Sequence, residues 1–237
     1  MMPTFLEKIN VSIFKLVFGL STLFSASNSY GQILVDYTSQ NTATRAEGIL
    51  AFTETEYEYD GNPVVDFEIE RDILGLGLTT SISQKVNFIG QLGFILDSEH
   101  QNSCDGDGFI LGGGANLLLK NKQKYSLAAY GFFNYIKEEF KCPLNSKVEA
   151  TVKDLHLGPV VTVKLNRDIS FYGALDLAIS SRGDWKVNGS NFEQEFERDS
   201  LMTLKLGAKG NFDGLSGRLE LTFIGEDNIT FGIGSAI

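Results

Sequence analysis

The chain is poor in the residues from which metal centres, disulfide scaffolds and helical membrane proteins are built. Among its 237 residues there are two cysteines, two histidines and four prolines. These numbers are too low for a zinc framework or a dense disulfide scaffold. Beyond residue 31, no run reaches the roughly 18 apolar residues that a spanning helix needs. Basic charge is also scarce, because the formal net charge is −10, and this argues against a nucleic-acid partner.

Glycine and aromatic residues are abundant instead, with 25 Gly, 18 Phe and 8 Tyr. Together with the scarcity of proline, this composition is typical of many short and regular β-strands. Hydrophobic residues make up 43% of the chain and charged residues 21%, which excludes a disordered protein. The composition therefore predicts an all-β fold.

The N-terminal residues 1–31 are interpreted as a secretory signal peptide. Lys8 precedes a short apolar stretch at 11–24, and small residues follow it. An N-terminal membrane anchor is the competing interpretation, but Lys15 interrupts the run and leaves it too short to span a bilayer. We therefore expect export of the chain, with residues 32–237 as the mature domain.

Hydrophobicity in that domain alternates with a period of two. Four segments show it most clearly: 86–96, 155–165, 169–179 and 203–212. Each segment is about 9–11 residues long, which is the length of a tilted strand that crosses a bilayer. Short polar turns near 83–85, 121–124, 166–168 and 213–217 alternate with longer polar loops near 98–107, 141–147 and 182–198. Turns on one side and long loops on the other are typical of a membrane-spanning barrel.

The pattern predicts an antiparallel up-and-down transmembrane β-barrel of about ten strands, with eight as the alternative. The strands are expected near 47–59, 64–82, 86–97, 108–120, 125–140, 148–165, 169–181, 193–212, 218–225 and 228–237. Aromatic residues near the turns suit a girdle at the membrane interface, and they are Phe88, Tyr125, Phe171 and Phe212.

The charges on the strands decide which face points inward. The less apolar face is expected to carry Asp154, His156, Lys164, Asp176, Lys205, Lys209, Arg218 and Glu220. A soluble barrel with a lipophilic pocket is the alternative, but so many charges do not suit a dry core. The apolar face is therefore expected to contact lipid and the charged face to line the lumen.

The signal peptide, the alternation and the last strand together resemble the bacterial outer-membrane β-barrel superfamily. The chain is most similar to the small barrels related to outer membrane protein A and to the opacity-type proteins. The resemblance implies insertion in the outer membrane of a Gram-negative bacterium, in contact with its lipid. It also implies that the barrel-assembly machinery recognises the last strand, residues 228–237. The chain departs from the family in ending on Ile237, where Phe is usual.

An acidic hairpin is the most unusual local feature. Acids recur at every second position along its two strands, as Glu54, Glu56 and Glu58, then Asp66, Glu68 and Glu70. If the strands pair, these acids form one patch above the membrane. Like charges opposite one another are destabilising, so a divalent cation or a basic partner would relieve them. The alternative is a solvated loop face without a ligand.

Cys104 and Cys142 are placed in the second and third long loops, which are neighbours in an up-and-down barrel. In an exported chain this favours a disulfide, with two unrelated thiols as the alternative.

No catalytic residue or cofactor site is predicted, because no Ser, His and acid arrangement is visible. The favoured function is a non-enzymatic barrel that supports the envelope or presents acidic loops for surface interaction. Its lumen charges would pair and plug the barrel, since about ten strands enclose little more than side chains. A narrow porin-like channel for small solutes is the alternative. An outer-membrane enzyme that acts on lipid or peptide is a third hypothesis.

Overall fold

A computed structural model describes residues 44–59, 66–100, 104–143, 146–187, 193–223 and 227–237. Nearly all of these residues lie in eleven β-strands. The strands are β1 (Arg45–Tyr59), β2 (Asp66–Ser81), β3 (Val86–His100), β4 (Cys104–Asn121), β5 (Tyr125–Cys142), β6 (Ser146–Lys164), β7 (Ile169–Val187), β8 (Glu193–Arg198), β9 (Met202–Phe212), β10 (Leu215–Phe223) and β11 (Asp227–Ala236). The predicted signal peptide at 1–31 lies outside the described residues.

Within the described ranges, no helix is long and apolar enough to cross a membrane.

The strands form one closed antiparallel barrel. Each strand from β1 to β7 pairs with the next, and β11 returns to pair with β1 over ten residues. Strands β8 and β9 both pair with β7, β9 along its first half and β8 near its end, so they form two halves of a single barrel strand. The barrel therefore has ten strands, and the prediction of ten is confirmed.

The two ends of the barrel are built differently. One end, which we call the turn end, carries the connections at 82–85, 122–124, 165–168 and 213–214 and both ends of the described chain. At the opposite, loop end, strands β3 and β4 pair up to His100 and Cys104, so most of the long loop expected at 98–107 is strand instead. The expectation was wrong because charged side chains can face solvent from an extended sheet and do not by themselves end a strand.

Strands β10 and β11 are short, so fewer strands form the barrel wall at the loop end. They have 9 and 10 residues, whereas β1 to β7 have 15 to 19. Beyond their hairpin, β8 pairs directly with β1 through Phe196 to Arg198. Ten strands therefore surround the turn end, and eight surround the loop end.

The turn between β9 and β10 shows the local chemistry of the short connections. Asp213 and Gly214 both have positive φ, at 46° and 89°. Two such residues make the two-residue turn whose twist matches that of antiparallel strands, and Asp-Gly is favoured there. The turn is therefore tighter than the one expected at 213–217.

The exterior of the barrel carries an apolar band. The outward side chains from near the turn end to just past the middle of the strands are large, apolar and exposed. They include Leu50, Phe52, Leu74, Leu76, Leu78, Phe94, Leu111, Phe133, Leu157, Val161, Leu177, Leu206 and Phe231. On β2 and the turn that follows, the band runs from residue 74 to 82, which is about 23 Å for a tilted strand. The aromatic residues expected near the turns are exposed at the edge of the band nearest the turn end, where Phe212 is 64% exposed and Tyr125 is 38% exposed. The apolar face is therefore the outer face, as predicted.

Candidate functional site

The interior at the turn end is organised around Arg218 on β10. Its guanidinium donates to both carboxylate oxygens of Glu47 on β1, at 2.9 and 3.2 Å. Glu220 lies 3.6 Å from the same guanidinium and accepts a hydrogen bond of 2.7 Å from the Tyr172 hydroxyl. These contacts join β7, β10 and β1 across the seam where the barrel closes.

A chain of ion pairs crosses the middle of the interior. Arg198 donates two hydrogen bonds to Asp154, at 2.7 and 3.1 Å, and Ser181 donates a third at 2.8 Å. His156 lies between Asp154 and a second aspartate, Asp176, with nitrogen to oxygen distances of 3.8 and 3.1 Å. The ammonium of Lys205 then lies 3.0 Å from Asp176. The chain connects β6, β7, β8 and β9.

The third interior group lies closer to the loop end. Arg71 on β2 donates to both oxygens of Glu138 on β5, at 2.9 and 2.8 Å, across the barrel. The same guanidinium donates to Thr55 at 3.1 Å, and Ser98 donates to Glu138 at 2.8 Å. Both charged side chains are fully buried. A two-pronged arginine–carboxylate pair is the strongest common form of ion pair in proteins.

Above these charges, aromatic rings fill the loop end of the barrel. We call this set the aromatic plug: Tyr57, Phe67, His100, Phe140, Trp185 and Phe196. Ring centroids are 5.2 Å apart for Trp185 and Phe196 and 4.9 Å apart for His100 and Trp185, distances at which aromatic rings pack favourably. Burial lowers the pKa of His100, so its neutral ring packs as one more aromatic group.

A disulfide joins the two strands beside the aromatic plug. Cys104 begins β4 and Cys142 ends β5, and their Cα atoms are 4.2 Å apart. The pairing matches the expected one, although both residues lie in strands and not in the long loops to which the sequence pattern assigned them. Cys104 is buried in the same hydrophobic cluster as the rings of the aromatic plug, and Cys142 packs against that cluster.

Side-chain exposure shows that the interior is filled. Asp154, Lys205 and Glu220 each have 0% of their surface exposed, and Arg71 has 2%. These four charged side chains are therefore packed inside the barrel away from water. Paired charges and the aromatic plug both lie in the interior of the barrel.

Most of the predicted lumen residues lie in this interior, with one correction. Asp154, His156, Asp176, Lys205, Arg218 and Glu220 are buried, and Lys209 is half-buried near the turn end. Lys164 is exposed, because it is the last residue of β6 and extends beyond the wall into solvent. The expectation that Lys164 lines the lumen was therefore wrong.

Sequence reasoning missed several of the interior groups. Arg71 lies between Glu70 and Asp72, which point outward. Sequence reasoning treated this segment as an acidic strand and did not single out Arg71 as an inward basic residue. Arg198 ends a strand that breaks before β9, so its inward position follows only from the pairing of β8 with β7 and β1. The alternation of inward and outward positions was the signal that could have identified Arg71.

The acids of the predicted hairpin form one outward surface. Glu54 pairs with Glu70, Glu56 with Glu68 and Glu58 with Asp66, each directly across β1 and β2. The rows continue onto β3 and β8, where Glu99 pairs with Glu70 and Glu197 with Glu58. We call this surface the acidic face: Glu54, Glu56, Glu58, Asp66, Glu68, Glu70, Asp72, Asp97, Glu99, Glu197 and Asp199.

Within the acidic face, the carboxyl group of Glu54 has the largest shift in pKa. It is only 4% exposed, and it hydrogen-bonds the carboxyl of Glu68. Burial, with the nearby charges of Glu68, Glu70 and Glu56, raises the pKa of Glu54 to about 9. Burial and neighbouring acids also raise the pKa of Glu70 and Asp72.

The opposite side of the loop end has balanced charges. Lys147 lies 2.6 Å from Glu139, Lys137 lies 3.4 Å from Glu149, and Lys141 lies 3.7 Å from Asp107. These pairs are on β4, β5 and β6. Among the residues that the structure describes at the loop end, the unbalanced negative charge therefore lies on the side formed by β1, β2, β3 and β8.

Comparison with known proteins identifies the fold. No family model matches the chain, and no curated protein matches it either. Among solved structures, the chain is similar to the outer membrane protease OmpT from Escherichia coli, with a TM-score of 0.55, 8% identity and coverage of 84% of this chain and 98% of that one. It is also similar to the translocator domain of the autotransporter NalP from Neisseria meningitidis, with a TM-score of 0.50, 11% identity and coverage of 85% and 91%. At these identities the likeness establishes a shared barrel architecture.

Proposed function

We propose that the protein is a non-enzymatic barrel of the outer membrane of a Gram-negative bacterium, sealed along its axis, which supports the envelope and presents its acidic face to the outside. The proposal includes removal of residues 1–31 by signal cleavage and insertion of the barrel through its last strand, β11, by the assembly machinery. The relation to the small barrels similar to outer membrane protein A remains a prediction of the same kind.

The exterior band supports the membrane location. Leucine, phenylalanine and valine side chains on all sides of the barrel are exposed, among them Leu76 at 60% and Phe94 at 52%. So much exposed apolar surface, arranged as a band around a polar interior, matches the lipid-facing surface of an outer-membrane barrel in type and height. The similarity of fold to an outer membrane protein supports the same location.

The burial of the charged side chains at the centre of the barrel carries the sealed-barrel proposal. A narrow channel needs a continuous water-filled path along its axis, whereas the interior side chains of Asp154 and Lys205 are each 0% exposed. Buried charges of this kind are stable only when they are paired, and opening the path would break those pairs. The same burial keeps these groups away from a substrate, so the proposal gives them a structural role and no catalytic one.

Cell fractionation and gel mobility test the location. We expect the protein, expressed in a Gram-negative host, in the outer-membrane fraction as a chain lacking residues 1–31, with faster migration before boiling than after it. A matched variant with Leu157→Arg, in the apolar band, should accumulate outside that fraction. Recovery of the processed wild-type protein in the soluble periplasmic fraction would contradict the proposal.

A further inference from the structure

The connections at the turn end carry an excess of basic side chains. Three consecutive turns and the strand ends beside them, at 79–90, 115–128 and 159–172, contain six basic residues and one acid, Asp168. The whole chain has 20 basic and 30 acidic residues, so these turns reverse its average charge. We call the six residues the basic rim: Lys85, Lys120, Lys122, Lys124, Lys164 and Arg167.

The structure joins the three turns into one surface across β3 to β7. The carbonyl of Lys85 accepts a hydrogen bond of 2.7 Å from the N–H of Leu118, and the carbonyl of Lys124 accepts one of 2.9 Å from the N–H of Lys164. All six side chains are exposed. Within the described ranges none of the six forms an ion pair, whereas lysines on the balanced side of the loop end are paired with acids. The basic rim is therefore a surface of net positive charge.

Exposed apolar side chains lie directly beside these bases. Leu119 precedes Lys120 and is 54% exposed, and Leu165 follows Lys164 and is 67% exposed. The ammonium of Lys120 also lies 5.6 Å from the ring centroid of Tyr125, at the edge of the apolar band. An acidic polymer in solution would neutralise the bases but leave the leucines in water. A lipid supplies acyl chains for the leucines and an anionic headgroup for the bases.

We propose that the basic rim binds the anionic headgroups of phospholipids in the membrane leaflet at the turn end. The inference rests on the proposed membrane location and adds the lipid class that this end of the barrel selects. Ammonium and guanidinium groups donate charge-assisted hydrogen bonds to phosphate oxygens. Each base close to an anionic membrane surface favours association about fivefold. The proposal also gives a role to Lys164, which does not line the lumen.

Electron spin resonance of spin-labelled lipids tests the inference, because lipids in contact with a membrane protein are motionally restricted. The refolded protein is placed in bilayers of phosphatidylcholine and phosphatidylglycerol, in a ratio of about four to one, with either lipid labelled. We expect association of phosphatidylglycerol to exceed that of phosphatidylcholine by about twofold over the whole lipid shell, since only part of the shell borders the rim. The preference should disappear in 1 M NaCl, where the Debye length falls to about 3 Å.

A triple variant of the basic rim should lose most of this preference. Lys85→Gln, Lys122→Gln and Lys124→Gln change only exposed side chains in turns, so folding of the variant is secure. The matched control, Lys141→Gln with Lys147→Gln and Lys186→Gln, removes as many bases from the loop end. These lysines lie seven or eight residues beyond the band, or about 18–20 Å along tilted strands, which is more than two Debye lengths at 0.15 M salt. The control should keep the wild-type preference.

The possible results separate the inference from the location on which it rests. Without a motionally restricted component from either lipid, the chain would not be in the bilayer, and the location and the inference would both be wrong. Equal restriction of both lipids by the wild-type protein would leave the location intact and overturn the inference alone. Equal loss of the preference in the loop-end control, or its removal by inorganic phosphate at constant ionic strength, would also overturn the inference.

Discussion

Single residues in the interior matter mainly as members of buried charge pairs. Arg71 and Glu138 bind each other across the barrel, and Thr55 and Ser98 complete their hydrogen bonds. Removing one member of such a pair leaves the other charge buried without compensation. Removing both avoids that penalty, so the stability of the pair is not the sum of two separate contributions.

A double-mutant cycle on this pair should show strong coupling. We expect Arg71→Met to lower the free energy of unfolding by about 3–5 kcal/mol, and Arg71→Met with Glu138→Leu to recover much of that loss. Urea unfolding of the refolded protein in lipid measures the change. The exposed pair of Lys147 and Glu139 is the control, with an expected coupling of about 0–1 kcal/mol. Additive losses at Arg71 and Glu138 would show that they are not a coupled buried pair.

The acidic face predicts a pH dependence at Glu54. Its folded-state pKa of about 9 lies above its ordinary value of 4.5, so the folded protein holds the proton more tightly than the unfolded chain. Stability from this group is therefore full below about pH 4.5 and is lost as pH rises towards 9. Glu70 and Asp72 on β2 shift in the same direction.

In EDTA, Glu54→Gln should be more stable than wild type at pH 8 and no more stable at pH 4. Thermal unfolding at a series of pH values provides the measurement. Glu139→Gln, an exposed acid on the balanced side, should show no such gain at pH 8. A wild-type protein that gains stability relative to Glu54→Gln as pH rises would contradict the shift.

The lipid-facing assignment also rests on individual residues. Leu157 is 43% exposed in the apolar band, and Leu157→Arg should lower the free energy of unfolding in lipid by about 2–4 kcal/mol. Val187→Arg is the matched control, because Val187 ends β7 at the loop end, beyond the band, and should change stability by about 0–1 kcal/mol. The inward Thr162→Ser should also be mild. Equal losses at positions 157 and 187 would show that the band is not in lipid.

At the scale of strands, the period of two predicted most of the sheet and failed at its edges. All ten barrel strands were expected, because inward and outward side chains differ clearly in the apolar band. At the ends of β3 and β4, residues 97–100 and 104–108 are mostly polar or glycine on both faces. The alternation therefore disappears there, and the pattern could not show that the two strands continue to His100 and Cys104. The break between Arg198 and Met202 occurs where the short β10–β11 hairpin ends and β8 pairs with β1 instead. Because this pairing joins residues far apart in the sequence, the local hydrophobic pattern could not predict the break.

The disulfide is an element-scale constraint on the β4–β5 hairpin. It closes a loop of 38 residues, for which chain entropy gives about 4 kcal/mol of stabilisation. Cys104→Ala with Cys142→Ala should lower the free energy of unfolding by up to that amount, and the in-register hairpin should reduce the loss. Thiol labelling of the denatured, unreduced wild-type protein should find no free thiol. Two reactive thiols would refute the bridge.

At the scale of the whole molecule, the fold and the exterior could be predicted from the sequence, but the way the interior closes could not. The inward position of Asp176 and Lys205 follows from strand alternation. The ion-pair partners of interior charges come from other strands, and the register of those strands decides which charges meet. In this register Arg198 contacts Asp154 and Arg71 contacts Glu138. The aromatic plug likewise joins residues of β1, β2, β3, β5, β7 and β8, and only the closed barrel brings them together.

Planar-bilayer conductance of the refolded protein tests the sealed barrel most directly. The wild-type protein should show almost no conductance, because buried ion pairs and the aromatic plug fill the axis. Lys205→Ala with Lys209→Ala should show at most small and brief openings, and Lys137→Ala on the outer surface should behave as wild type. A stable, ohmic pore in the wild-type protein would contradict the account and favour a narrow channel.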